Sequence, residues 1–245
     1  MDEAAINGAR AAFCLGLLCL AIEPALAGSI AVNPVRVTLS ASKVAGALTV
    51  RNSGAEPSVV QLEIVSWSQH DGKDVYVPTR ELLATPPIFT VPAGGSQIVR
   101  IGLRQSADPR REVSYRVIMQ EVPPPPKPDF RGLRVALRLS VPVFVTPTVS
   151  APTLQWRAIL TSQGDVSIVA ANTGNAHVQI IGFKLAVAGT DLPAITPPEA
   201  AYVLPEQHHD WTLRFKSMPA AGTVLHVAAQ TDAGDVRADV VVAGP

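Results

Sequence analysis

One long alternation of apolar residues near the middle of the chain constrains the fold more than any other feature. The stretch RGLRVALRLSVPVFVTP, residues 131–147, carries apolar side chains at every second position, namely Leu133, Val135, Leu137, Leu139, Val141, Val143 and Val145. This is the period at which a β-strand places its side chains on one face. Because Pro142 cannot donate a ladder hydrogen bond, the pattern predicts a strand with one unpaired side or a position at a sheet edge.

A long apolar strand at a sheet edge has two interpretations. Such edges tend to aggregate, and soluble proteins usually blunt or cover them. The segment is therefore either an ordinary sandwich strand buried on one face by its own protein, or a strand left open for a partner. Periodicity alone does not decide between the two.

The rest of the chain alternates short apolar stretches with turn-forming residues, as all-β proteins do. From Ser29 onward, short stretches rich in Val, Ile, Leu and Thr alternate with Gly, Pro, Asn and Asp, which is the spacing of a β-sandwich. The first strand candidate runs unbroken from Ile30 to Ser40, and the pattern restarts after Pro147. We therefore expect two Ig-like β-sandwich domains, residues 28–147 and 148–245, set at an angle across a short linker.

The N-terminal segment is typical of an export signal. An apolar run too short to cross a bilayer, AAFCLGLLCLAI, is followed by the small-residue sequence Ala25-Leu26-Ala27, which predicts cleavage after Ala27. Both cysteines, Cys14 and Cys19, lie within this segment. The mature chain is thus expected to be exported and to lack disulfides, thiolate catalysis and cysteine-bound zinc.

Charge and motifs give no sign of chemistry or of a charged partner. The chain has 20 basic and 20 acidic residues, a balance that gives no reason to expect nucleic acid or an anionic membrane as a partner. Since no second apolar run is long enough for a transmembrane helix, membrane insertion is not expected either. It contains no HExxH, nucleophile elbow, P-loop or GxGxxG motif. His208, His209 and Asp210 are adjacent, and neighbouring residues of a strand face opposite sides. We predict that the protein is not an enzyme and binds neither cofactor nor metal.

Four stretches together resemble a known family. They are IAVNPVRVTLS from Ile30, ATPPIFTVPAGGSQIVRI at 84–101, EVSYRVIMQEVPPPP from Glu112, and the ending PVFVTP. In this order they are similar to the PapD-like periplasmic chaperones of the chaperone-usher pilus pathway. The mature chain, which would have no cysteine, looks through its PVFVTP ending most similar to the archaic, spore coat U-type branch. The resemblance implies two Ig-like domains in an L or boomerang shape.

The same resemblance implies a use for the apolar strand. In donor-strand complementation, an exposed strand is lent to a subunit whose own sandwich lacks one. The implied groove-binding residues are Leu133, Val135, Leu137 and Leu139. The implied partners are pilus or fimbrial subunits and an outer-membrane usher, without nucleotide, and self-association of the free protein remains open.

A basic anchor for the subunit's C-terminal carboxylate is also implied. The pattern NPVRVTLS predicts Val35, Val37 and Leu39 on the core face, which aims Arg36 outward. A guanidinium suits this task because its planar donors can bind a carboxylate bidentately. The alternative is a solvated surface arginine.

The second basic residue of the family's anchor departs from the pattern. The lysine expected near the end of the last strand of the first domain aligns with Pro142, which cannot bind a carboxylate. Arg116 is the first replacement candidate and Arg138 the second. At either position an exposed edge charge that suppresses aggregation is an equally good explanation.

Other classes of function remain as alternatives. The chain could be a structural Ig-like module, either a pilus subunit or a surface adhesion protein, although a subunit should be a single incomplete sandwich and commonly has a cysteine pair. A carbohydrate- or metal-binding exported domain is a further possibility.

Overall fold

A computed structural model describes residues 30–106, 108–125, 135–189, 199–215, 217 and 219–244. Within these residues the chain forms seventeen β-strands and no α-helix, which confirms the predicted all-β class. The described part accordingly offers no helix of the length and apolarity needed to cross a membrane. The predicted signal segment and Leu133 lie outside the described residues.

The first ten strands form two sheets, which we call the first sandwich. One sheet has the order β1-β3-β8-β6, and the other has the order β2-β10-β9-β4-β5, with β7 also paired to β4. The strands are β1 (Ile30–Asn33), β2 (Val37–Ser40), β3 (Ala45–Asn52), β4 (Ser58–His70), β5 (Lys73–Pro78), β6 (Leu82–Thr85), β7 (Ile88–Val91), β8 (Ser96–Leu103), β9 (Val113–Val122) and β10 (Arg138–Thr146).

Period-2 alternation builds the core of the first sandwich. Along most of these strands alternate residues face inward, whereas β5 is exposed throughout. Residues from both sheets, such as Val50 and Val99 from one and Leu39 and Val117 from the other, are completely buried. The alternating residues from 141 to 145 belong to the same cluster. The C-terminal half of β10 therefore contributes the fully buried side chains of this strand.

The strand predicted from Ile30 to Ser40 is in fact two strands. Strand β1 pairs with β3 in one sheet and β2 pairs with β10 in the other, so the segment crosses between the sheets. The crossing residues leave the ladder, and Val35, predicted to face the core, is 75% exposed. Val37 and Leu39 are buried as predicted, because the alternation resumes only after the crossing.

The last seven strands form the second sandwich. They follow one path, β14-β13-β16-β17-β11-β12-β15, which folds around a single core. Strand β17 pairs with β16 along its length but with β11 only near its end, which allows the sheet to fold over. The strands are β11 (Leu154–Leu160), β12 (Val166–Asn172), β13 (Val178–Val187), β14 (Ala201–Val203), β15 (His208–Leu213), β16 (Val224–Thr231) and β17 (Gly234–Ala243).

A buried asparagine closes an equivalent turn in each sandwich. The side-chain amides of Asn52 and Asn172 each donate to two main-chain carbonyls, and their oxygens accept the N–H of Gly54 and Gly174, respectively. The carbonyls belong to Glu56 and Val91 for the first turn, and to Ala176 and Val203 for the second. These turns end β3 and β12, and every bond satisfies a polar group that would otherwise be unpaired.

The two sandwiches pack directly against each other. Trp67 and Phe144 of the first form a buried cluster with Leu204 of the second, and Tyr202 packs against it. The amide of Gln69 donates to the carbonyl of Tyr202 and accepts the N–H of Leu204, both at 2.9 Å. These apolar contacts and the two hydrogen bonds of Gln69 join the two sandwiches beside the candidate site.

Candidate functional site

One edge of strand β10 is only partly covered. Strand β9 pairs with β10 from Arg138 to Val145, whereas β2 pairs with the opposite side only from Val143 to Thr146. Among the described residues, no strand pairs with the opposite side from Arg138 to Pro142. We call these residues the free edge.

The hydrogen bonds between β9 and β10 determine which residues direct their main-chain N–H and carbonyl groups toward the free edge. The N–H of Glu121 donates to the carbonyl of Leu137 at 2.9 Å, so the main chain of Leu137 faces β9. Main-chain groups alternate along an antiparallel strand, and the even-numbered residues of β10 therefore point away from β9. Arg138 and Ser140 each offer an N–H and a carbonyl to the free edge, and Pro142 offers a carbonyl only. The missing donor of the proline thus falls where no partner strand needs it.

The apolar face of this strand leads out of the protein's own core. The alternating residues from 141 to 145 are at most 4% exposed, Leu139 and Leu137 are half-buried, and Val135 is 70% exposed. Leu139 still packs against the first core cluster. The same row of side chains therefore passes from core to surface toward the start of the strand.

Arg36 lies at the end of the free edge, just before β2, and binds the second sandwich. Its Nη1 donates to Oδ2 of Asp232 at 2.5 Å, and the side chain of Arg36 is 37% exposed. The other carboxylate oxygen of Asp232 accepts the N–H of Gln179 at 2.8 Å. Arg36 is therefore held in place at the interface rather than extended into solvent.

His177 links this ion pair to a second carboxylate. Its Nδ1 lies 2.8 Å from Oε1 of Glu112, its main-chain N–H donates to the same oxygen, and its Nε2 lies 3.5 Å from Oδ2 of Asp232. The imidazole stacks on Phe144, with 3.5 Å between the ring centroids. A chain of charged groups thus crosses the interface.

The charges of this chain shift two pKa values. Burial of the imidazole lowers the pKa of His177, but interactions with Asp232 and Glu112 raise this pKa by more than burial lowers it. The pKa therefore exceeds its ordinary value of 6.5. Burial likewise raises the pKa of Asp232. The interaction with His177 and hydrogen bonds from the N–H of Gln179 and from Arg36 outweigh this effect and hold that pKa well below its ordinary value of 3.8.

These directions predict a pH-dependent stability. The contribution of protonated His177 is complete below pH 6.5 and is lost as pH rises through its raised folded-state pKa. The contribution of Asp232 is complete above pH 3.8 and is lost as pH falls from there through its lowered folded-state pKa. We expect the free energy of unfolding, measured by urea titration, to fall as pH rises above 6.5, because the folded protein then loses the proton that its carboxylates stabilise on His177. His177→Gln should flatten this slope, and an unchanged slope would contradict the assignment.

Arg116 faces the same interface, opposite Pro142 in the β9–β10 register. Its guanidinium carbon lies 3.7 Å from the ring centroid of Trp67 and 5.6 Å from that of Tyr202, and its Nε is buried without a hydrogen-bond partner. Burial raises the pKa of nearby Asp74, but hydrogen bonds, chiefly from Gln69, and the charge of Arg116 leave that pKa below its ordinary value. Arg116 is therefore a cation held by aromatic rings.

Arg138, the remaining basic candidate, is exposed at the start of β10. The structure thus brings Arg36 and Arg116 to the interface and leaves Arg138 on the surface beside the free edge. Sequence reasoning missed the interface partners Asp232 and His177. They lie 196 residues from Arg36 and 65 from Glu112, respectively, and no local pattern indicates pairs so distant.

The described residues give no support to a metal site. No group of three or more His, Cys, Asp or Glu side chains within them could hold a metal ion. His209 instead packs its ring against Trp211, with 4.5 Å between centroids.

Comparisons with known proteins agree on one architecture. Residues 29–150 match the model described as "Pili and flagellar-assembly chaperone, PapD N-terminal domain". A chain of the CsuC–CsuE chaperone and tip adhesion subunit complex from the archaic Csu pili of Acinetobacter baumannii superimposes with a TM-score of 0.65 and 19% identity, over 87% of this chain and 99% of that one. A comparison with curated proteins gave no match.

Two further solved structures share the fold. One, from the complex of the SafA pilin with the SafB chaperone of Salmonella enterica, has a TM-score of 0.60 and 20% identity over 88% of this chain and 97% of that one. The other, the E. coli chaperone DraB, has a TM-score of 0.59 and 20% identity over 87% and 97%. The described sandwiches and these matches confirm the predicted two-sandwich fold.

Proposed function

This chain belongs, through residues 29–150, to the family of pili and flagellar-assembly chaperones, and from that premise we propose that it binds and stabilises pilus or fimbrial subunits by donor-strand complementation. Similar solved structures include complexes of a chaperone with a tip adhesion subunit and with a pilin. The observation that carries the proposal is the free edge of β10, along which an apolar row leaves the protein's own core.

The donor segment, residues 133–142, supplies side chains to the subunit groove. Val135, Leu137 and Leu139 form the part of the apolar row that the first core leaves exposed or half-buried, and Leu133 continues it in sequence. Burying a Leu or Val side chain contributes about 1.5–3 kcal/mol, so these four supply roughly 6–12 kcal/mol before ordering costs. That is enough to hold a subunit that is unstable alone.

Strand β2 sets the direction of the incoming strand. It runs parallel to β10 and begins where the free edge ends. A subunit strand that pairs with the free edge and runs in the same direction as β2 would end just before β2, which places its C-terminus at Arg36. The guanidinium then binds the terminal carboxylate, and its bond to Asp232 holds it at that point. For the second anchoring cation, Arg116 is the first candidate in this proposal and Arg138 the alternative.

The protein acts outside the cytoplasm. We propose that residues 1–27 are a signal peptide cleaved after Ala27, that residues 28–147 and 148–245 form separate domains, and that the chaperone works in the periplasm and delivers subunits to an outer-membrane usher. The linker between β10 and β11 supports this division. No catalytic step or cofactor is part of the mechanism, because subunit folding and later strand exchange supply the free energy.

Co-expression tests the proposal directly. We expect the affinity-tagged chaperone to recover from the periplasm a pilus subunit encoded beside its gene. Arg36→Ala should lower the recovered amount about tenfold or more, since a charged hydrogen bond contributes about 1.5–3 kcal/mol. Lys43→Ala, which removes an exposed cation from the loop after β2, is the control and should bind normally. Recovery of the wild-type chaperone alone would overturn the proposal.

A further inference from the structure

Glu121 joins three strands at the point where the donor segment meets the sheet. It lies near the end of β9, and its Oε1 accepts the hydroxyl of Ser58 in β4 at 2.8 Å. Its Oε2 accepts the main-chain N–H of Leu137 at 3.2 Å. One carboxylate therefore connects β4 on one side of β9 with the donor segment on the other.

The carboxylate completes the last rung of the β9–β10 ladder. In a regular hydrogen-bonded pair, both main-chain N–H groups donate to main-chain carbonyls. Here the N–H of Glu121 donates to the carbonyl of Leu137 at 2.9 Å, whereas the N–H of Leu137 donates to the side chain of Glu121. The side chain thus extends the pairing beyond Arg138, where the regular strand begins.

This extension matters because the core does not hold that part of the strand. From 141 onward the buried alternating residues fix the register, but Leu137 is only half-buried and Val135 is 70% exposed. A shift of one residue turns every side chain of a strand to the opposite face. Such a local shift would turn Arg138 toward the groove in place of Leu137.

We propose that Glu121 is a positioning residue that holds the main chain at Leu137 against β9 and keeps the side chain of Leu137 on the subunit-binding face. This inference rests on the proposed function and adds a residue that does not itself touch the subunit. Ser58, which is 6% exposed, orients the carboxylate from the far side.

Three variants of the full-length chaperone test the role. Glu121→Ala removes both acceptors, whereas Glu121→Gln keeps one oxygen for Leu137 and an amide that can donate to Ser58. We expect Glu121→Ala to increase hydrogen exchange of the Leu137 amide about tenfold or more and to lower subunit recovery comparably, with little change in Tm. Glu121→Gln should restore most of both, and Ser58→Ala should fall between them.

The two readouts separate this inference from the function on which it rests. Unchanged exchange at Leu137 in Glu121→Ala, or normal subunit recovery by that variant, would overturn the positioning role. A wild-type chaperone that recovers no co-expressed subunit would overturn the proposed function, and amide exchange in the lone protein would then decide whether Glu121 holds the segment at all.

Discussion

Leu137→Arg is expected to abolish subunit capture while leaving the chaperone folded. In the free protein Leu137 is half-buried at the edge of the core, where a long arginine side chain can reach water, so the free energy of unfolding should fall by no more than about 1 kcal/mol. In the complex the same position faces an apolar groove. Losing the leucine contact and burying an unpaired charge together cost about 5 kcal/mol or more of binding free energy. This corresponds to at least a 1,000-fold weaker affinity for the subunit. The loss is of the same order as the binding free energy that the four donor side chains supply together.

Ser140→Arg is the matched control for that substitution. Ser140 is exposed on the opposite face of β10, so the same charge there should leave capture within about a few-fold of wild type. Capture should be scored by co-purification of a co-expressed subunit and folding by circular dichroism. Normal capture by Leu137→Arg would remove this residue from the binding surface, and loss of its native circular dichroism would assign it to an ordinary core.

Gly174→Ala is expected to produce the largest loss of stability. A β-carbon at Gly174 would lie 2.1 Å from the carbonyl oxygen of Ala151, 2.7 Å from the nitrogen of Thr153 and 2.8 Å from the α-carbon of Pro152. These are main-chain atoms, which cannot rotate away as a side chain can. Two further bonds, between the N–H of Thr173 and the carbonyl of Thr153 and between the amide oxygen of Asn172 and the N–H of Thr153, hold the turn against the linker.

Relieving this overlap requires the turn and the linker to separate. We expect a loss of about 3–5 kcal/mol in the free energy of unfolding, because the overlap breaks packing and main-chain bonds together. Urea unfolding followed by tryptophan fluorescence measures it, since Trp156 and Trp211 belong to the second sandwich. Gly182→Ala is the control, because its β-carbon meets nothing within 4 Å. A loss below about 1 kcal/mol in Gly174→Ala would contradict the predicted clash.

Local patterns predicted most of the strands but not where one of them breaks. Alternation from Ile30 to Ser40 concealed the crossing between sheets, because Val35 keeps the period while its side chain is exposed. This error arises because sheet membership depends on partners distant in sequence.

The candidate site could be predicted only in part, because it too depends on contacts between residues distant in sequence. Period-2 alternation and Pro142 indicated an open strand, and the family resemblance indicated Arg36, but the division of the apolar row between core and surface depends on where β2 begins. The partners Asp232 and His177 come from the second sandwich, so only the packed structure brings them to Arg36. The assigned roles of Arg36, Arg116 and Arg138 stay predictions until they are tested.

The coverage of β10 by β2 also limits how the chaperone can discriminate among its cargoes. From Arg138 to Pro142 the strand can exchange at most two N–H groups and three carbonyls with an incoming chain, and each such bond contributes only about 0.5–1.5 kcal/mol. Those bonds are identical for any amino-acid sequence. Selectivity for one cargo over another must therefore reside in the fit of a few apolar side chains. Exchanging Leu for Val along the apolar row should change which subunit is preferred while leaving the main-chain hydrogen bonds of the free edge unaltered.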